Sequence, residues 1–82
     1  MEIKKLEKWE GWVVRIVDPQ GEAEEGVFIC CDGPDYDPEE EEDFILIHTL
    51  KNGVFRSLVR YKAEDIAEFI PIRKATKEEY EA

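Results

Sequence analysis

Two segments of this chain are apolar on both of their alternating faces, and that feature restricts folding more than any other. In residues 24–32, Val27, Ile29 and Cys31 alternate with Phe28 and Cys30; in residues 44–50, Phe44 and Leu46 alternate with Ile45 and Ile47. Successive strand side chains point to opposite sides, so a sheet that hides one face shows polar alternation. These two strands instead demand cover on both sides. A chain of 82 residues is too short to supply helical layers on both faces, and a domain of that size buries only a modest fraction of its surface. A sheet curled around its own core, with a short helix or a second subunit over the outside, meets the demand. Self-association is therefore expected.

The remaining elements follow from spacing and punctuation. Ile3, Leu6 and Trp9 recur at every third position among Lys and Glu, which predicts a short amphipathic helix ending before Gly11. Residues 12–17 are rich in β-branched side chains, and Asp18-Pro19-Gln20-Gly21 turns the chain, because Pro presets φ and Gly accepts a positive one. Residues 24–32 form the returning strand. Segment 33–43 holds Pro34, Pro38 and concentrated like charge, both hostile to regular structure, and is expected as an exposed loop. Residues 44–50 and 54–61 make a hairpin about Asn52-Gly53. After a one-turn connection at 62–65, residues 66–72 supply a last strand whose Pro71 marks a sheet edge or a strand end. Thr76 and Glu79 have the spacing of a capping box, but few apolar residues follow. One domain over 1–75 and a frayed tail over 76–82 are predicted. The fold class is mainly β, a five-stranded small barrel with a short N-terminal helix.

Charge is distributed unevenly. The chain carries −10, and Asp32, Asp35, Asp37, Glu39, Glu40, Glu41, Glu42 and Asp43 are eight acids with no base among them. The rest of the chain is close to balance. The overall sign opposes attraction to phosphate backbones and anionic lipid. Cys30 and Cys31, the only cysteines, are adjacent; two residues build no disulfide framework, and their side chains fall on opposite faces of a strand as packing residues. The N-terminus reaches no apolar leader core, and no apolar run approaches the roughly 20 residues that cross a bilayer. A complete cytoplasmic protein without membrane contact is expected.

The order of a short helix and five strands, over about residues 6–72, resembles that of Sm-like proteins, small barrels of the broader SH3-like type. Val13 to Val17, Gly21, Gly26 and Asp32 are similar to the first Sm motif, a hydrophobic strand followed by Gly, Gly and Asp. Val59-Arg60 with Ile66 is similar to the second. The resemblance implies ring assembly through the fourth and fifth strands and binding of RNA. Two departures bear on the RNA pocket: no Asn follows Asp32, and Tyr61 stands where the motif has Gly.

Three groups of residues are candidates for function. Asp35, Tyr36, Asp37, Glu39 and Glu40 form a negatively charged docking segment for a basic protein partner, with Tyr36 as an aromatic anchor of the kind favoured at interface hot spots. The same acids lack the regular spacing and central Gly of a calcium loop, so no metal site is assigned. Arg56, Arg60 and Tyr61 suit single-stranded RNA, although the charge disfavours it and cross-strand pairing of the arginines with Glu24, Glu25 or Glu68 is the simpler account. Arg56 and Arg60 are expected on one strand face, with Phe55, Ser57, Val59 and Tyr61 on the other. His48, the only histidine, sits in an apolar strand as a hydrogen-bonded structural residue, and one imidazole without partners makes no catalytic constellation. The sequence thus describes a non-enzymatic module without cofactor, homo-oligomeric and offering an acidic loop to a basic partner. An RNA-binding ring is the alternative; a small-molecule-binding or inhibitory protein of the phage type has no residue signal of its own.

Overall fold

A computed structural model describes residues 2–52 and 54–81. It is mainly β, with a five-stranded antiparallel sheet whose strands are β1 (Trp12–Val17), β2 (Ala23–Asp32), β3 (Phe44–Lys51), β4 (Val54–Lys62) and β5 (Glu68–Lys74). Their spatial order is β4-β3-β2-β1-β5. The ladder does not close, because β4 pairs only with β3 and β5 only with β1. It is nonetheless coiled. Tyr61 on β4 and Ile16 on β1 line one small cavity from opposite sides of the sheet order, and Phe69 of β5 meets Phe28 of β2 edge to face at 5.7 Å.

The N-terminal helix spans Ile3–Trp9 and is 3-10 rather than α. A three-residue repeat explains the type, since the 3-10 helix has three residues per turn and stacks i over i+3. Ile3 and Leu6 are buried beneath it, and Trp9 packs edge to face on Trp12 at 4.9 Å. Two bonds pin its end to β2: Gly11 N–H donates to Phe28 O at 2.7 Å, and Cys31 N–H donates to Glu10 Oε2 at 2.9 Å.

The inner face of the sheet carries Val14, Ile16, Phe28, Ile45 and Ile47, closed over by Ile3, Leu6 and Ile66. The outer face is apolar too, as the two-sided pattern demanded. Val13, Val27 and Phe44 are almost fully enclosed there. Val27 lies opposite Val13 on one side and His48 on the other.

Three register shifts decide which residues share a face, at Ile29 in β2, Arg56 in β4 and Ile72 in β5. Each inserts one extra residue, which reverses the alternation beyond it. Cys31 therefore joins Phe28 on the core side, not Val27 as strict alternation predicts. Phe55 likewise leaves Ser57, Val59 and Tyr61 and joins Leu58 and Arg60. Its ring lies 4.8 Å from that of His48, the residue opposite Leu58.

The turns match their residues. Asp18 Oδ1 accepts from the N–H groups of Gln20 and Glu22, each at 2.9 Å, and Gly21 takes φ 88°. Asn52 has φ 56°, while Gly53 of the predicted turn lies outside the described residues. The connection after β4 is a 3-10 turn, Ala63–Asp65, tied by Lys62 N–H to Asp65 Oδ2 at 2.9 Å. Ile66 follows it as a core residue, so β5 begins at Glu68, two positions later than predicted. Pro71 does fall on an edge strand, where its missing donor is tolerated.

The tail is not frayed. Residues Lys77–Glu81 form helix α1, and the capping box closes in both directions: Glu79 N–H donates to Thr76 Oγ1 at 3.1 Å and Thr76 N–H to Glu79 Oε1 at 2.9 Å. Arg73 of β5 holds both Glu79 oxygens at 2.8 Å. This bidentate pair, with the Tyr80 hydroxyl donating to Ile29 O at 3.4 Å, holds the segment to the sheet.

Two predictions follow from these contacts. A Cβ on Gly26 would strike the backbone carbonyl of His48 and the Ile47 side chain, so Gly26→Ala should lower the unfolding free energy by about 2 kcal/mol in urea titration, whereas Gly21→Asn should be mild. The second concerns pH. The Arg73 guanidinium, helped by the Thr76 N–H, holds the Glu79 carboxyl down at about 2. A depressed carboxyl stabilises above its ordinary pKa and loses that contribution as pH falls toward the folded value. The Tyr80 NMR signals should accordingly move toward unfolded positions from about pH 4.5 down to about 2, and Glu79→Gln should produce the same movement at neutral pH.

Candidate functional site

The acidic segment 33–43 leaves β2 at Asp32 and folds back across the surface rather than projecting into solvent. Tyr36 and Asp37 donate their N–H groups to Gly33 O at 3.0 and 2.9 Å, Glu40 N–H donates to Asp37 O at 3.0 Å, and Asp37 Oδ1 accepts from Glu39 N–H at 3.0 Å. These bonds make two consecutive turns, consistent with Pro34, Pro38 and the Asp residues between them. Asp35 pairs with Lys4 of the N-terminal helix. Tyr36 is 63% exposed, and its hydroxyl pKa is raised chiefly by the neighbouring Glu7 carboxylate.

The second half of the loop lies on β4. Glu40 Oε2 is 3.3 Å from Arg60 Nη1, and Glu42 Oε2 is 3.2 Å from Lys62 Nζ. The Arg60 guanidinium also sits 4.0 Å from the centroid of the Phe44 ring. Arg60 and Lys62 are two apart on a strand, and so are Leu46 and Phe44 opposite them, so all four share the outer face. Glu42 raises the Lys62 pKa, first through their hydrogen bond. Residues 39–42, Phe44, Arg60 and Lys62 enclose a shallow groove of about 320 Å³. A wider groove of about 530 Å³ opens beside it, between Ile3 and Lys4, Glu42 and Asp43, and Ala63 and Glu64.

The structure therefore joins residues that the sequence assigned to rival functions. Glu40, a candidate for docking a basic partner, is the counter-ion of Arg60, a candidate for RNA. Tyr61 is separated from Arg60 and faces inward, half-buried, its hydroxyl pKa raised first by burial and then by Glu24 and Asp18. Arg56 sits at the register shift and is exposed. Arg56 and Arg60 do not face Glu24, Glu25 or Glu68 as predicted, because β4 neighbours only β3; the arginine opposite Glu25 is Arg15 of β1. Glu39 is exposed, and Asp37 spends one oxygen on the turn.

Lys4, Phe44 and Lys62 belong to this region and are not among the sequence candidates. Each enters through a contact between distant parts of the chain; the run of Lys51, Arg56, Arg60 and Lys62 without an acid is the signal that could have pointed to Lys62. One further expectation changes. His48 is packed against Phe55 with its Nδ1 buried and without a hydrogen-bond partner among the described residues, where a satisfied imidazole was expected. Cys31 lies against the core with Sγ 3.5 Å from Ile3 O, and burial, reinforced by Glu10 and Glu7, pushes its thiol up to about 12. A thiol held protonated in this way is a poor nucleophile and metal ligand. Among the described residues no three His, Cys, Asp or Glu side chains converge on a position for a metal ion, and no helix is long and apolar enough to cross a membrane.

No family model, curated protein or solved structure matches the chain.

The loop's ion pairs with Lys4, Arg60 and Lys62 lie at the surface, and surface pairs contribute little, while eight neighbouring carboxylates repel one another. Replacing residues 34–42 by a short Gly/Ser linker should leave the urea midpoint unchanged or raise it, since closure entropy varies slowly with loop length. A drop in the midpoint would identify the loop as part of the structural framework.

Proposed function

We propose that this protein is a non-enzymatic interaction module, a small curved sheet of the SH3-like or Sm-like kind, that self-associates through its edge strands and offers its acidic loop to a basic protein partner. The carrying observation is where the apolar surface lies. Of the exposed large hydrophobic side chains, Val54, Phe55 and Leu58 belong to β4, and Ile70 and Ile72 to β5. These are the two strands with an unpaired edge. An exposed edge with apolar side chains is a template for pairing with another chain, and contiguous apolar surface marks interfaces.

The aromatic residues with the most obvious claim to an interface do not all make one. Phe28 and Phe44 are enclosed, while Trp9 and Trp12 are largely spent on each other and on the core. Phe55 is 40% exposed. The loop supplies the other half of the proposal, with Tyr36 exposed beside Asp37, Glu39 and Glu41.

Association is tested by light scattering at micromolar concentration. The wild type should exceed the mass of one chain, and Leu58→Asp should return it to one chain with an unchanged far-UV circular dichroism spectrum. A wild type that scatters as a single chain ends the proposal of self-association. For the loop, a fluorescent deca-lysine peptide is the probe. It should bind at low ionic strength, lose binding when residues 34–42 are replaced, and bind partly to Tyr36→Ala; undiminished binding to the shortened chain rules the loop out.

A further inference from the structure

Segment 51–63 carries Lys51, Arg56, Arg60 and Lys62 with no acid, inside a chain of net charge −10. Most of it is β4, an edge strand. Nothing in the rest of the sheet has this character, and the chain lays its own most acidic segment on it.

We infer that the outer face of β4 is a docking surface for an extended acidic peptide segment, and that residues 39–42 are a tethered, competing occupant of that surface. The match is one of spacing as well as sign. Arg60 and Lys62 are two apart on β4 and so share a face, and the loop sets Glu40 against the first and Glu42 against the second. Phe44 fixes the Arg60 guanidinium at 4.0 Å from its ring, so the donor is presented in place rather than searched for. Beyond Arg60 on the same face, Leu58 and Phe55 remain exposed, which gives a longer ligand apolar positions that the loop itself does not reach. Carboxylates are the anions this face already holds, in Glu40 and Glu42, and this favours an acidic peptide over a nucleic acid as its ligand.

Tethering makes the loop an effective competitor, since a short linker confers a local concentration in the millimolar range. Its contacts are nonetheless exposed, with Arg60 50% and Lys62 44% accessible, and exposed pairs are individually weak. A ligand that adds contacts at Leu58 and Phe55 displaces it.

The experiment measures binding of a fluorescein-labelled hexaglutamate peptide by anisotropy at low ionic strength. The double variant Glu40→Gln/Glu42→Gln should bind about fivefold more tightly than the wild type, the combined worth of two exposed pairs. Adding Arg60→Gln should remove the gain, and Arg60→Lys should restore part of it, which excludes simple unfolding as the cause. Glu78→Gln/Glu81→Gln changes net charge equally on α1 and should leave the affinity unchanged. The inference is overturned by equal gains in both double variants, by no gain in the first, or by a first variant that takes up a uridine-rich oligonucleotide in preference to the peptide. Self-association as proposed above covers Leu58 and Phe55, so the titration is run at a chain concentration at which light scattering gives the mass of one chain, and failure to bind the peptide is read separately from failure to associate.

Discussion

The structure depends on the packing around Phe28. Its ring is fully enclosed, faces Phe69 from β5, and lies in one cluster with Ile16 and Val14 of β1 and Ile45 and Ile47 of β3. Its carbonyl receives the N–H of Gly11, which seats the N-terminal helix. A five-stranded sheet with so little helix to cover it hides its inner face by coiling, which brings Tyr61 of β4 near Ile16 of β1 and Phe69 of β5 against Phe28 of β2. The enclosed side chains reward that coiling, because apolar area removed from water stabilises by about 25 cal/mol per Å². Close approach of β2 and β3 is part of the same arrangement, which is why Gly26 has no room for a side chain.

Coiling of this kind is achieved with extra residues as much as with twist. Ile29, Arg56 and Ile72 each stand opposite no partner, and bulges bend the strand that carries them. The consequence for function is a change of face. Without the shift at Arg56, Phe55 would lie on the inner side with Tyr61. With it, Phe55, Leu58, Arg60 and Lys62 run along one outer surface, and the apolar and cationic positions of β4 become a single feature.

Electrostatics then determines what that surface meets. The acids of 33–43 are a source of mutual repulsion and the cations of β4 a source of the same in opposite sign, and folding the loop across β4 relieves both at once. Placing Glu40 and Glu42 over Arg60 and Lys62 costs little backbone strain, because the turns at Gly33 to Glu40 are made by residues suited to them. The contact is solvent-exposed and so remains exchangeable, in contrast to the buried core that holds the sheet.

Much of the architecture was legible in the residues because the signals are local. Period-three apolar residues marked the first helix, β-branched runs marked the strands to within about two residues of their ends, and Asp18-Pro19-Gln20-Gly21 marked a turn. The capping box of Thr76 and Glu79 was legible as well, but the stability of α1 was not, because Arg73 reaches it from another element. The same distinction applies to the candidate site. Charge concentration identified Asp35, Tyr36, Asp37, Glu39 and Glu40 as one segment and Arg56 and Arg60 as another, and nothing in their spacing indicated that the two would touch. Side-chain alternation is a property of neighbouring residues and can be read along the chain until a bulge reverses it. Bulges, long-range ion pairs and the inward turn of Tyr61 arise from how distant segments pack, and the tertiary structure alone determines them.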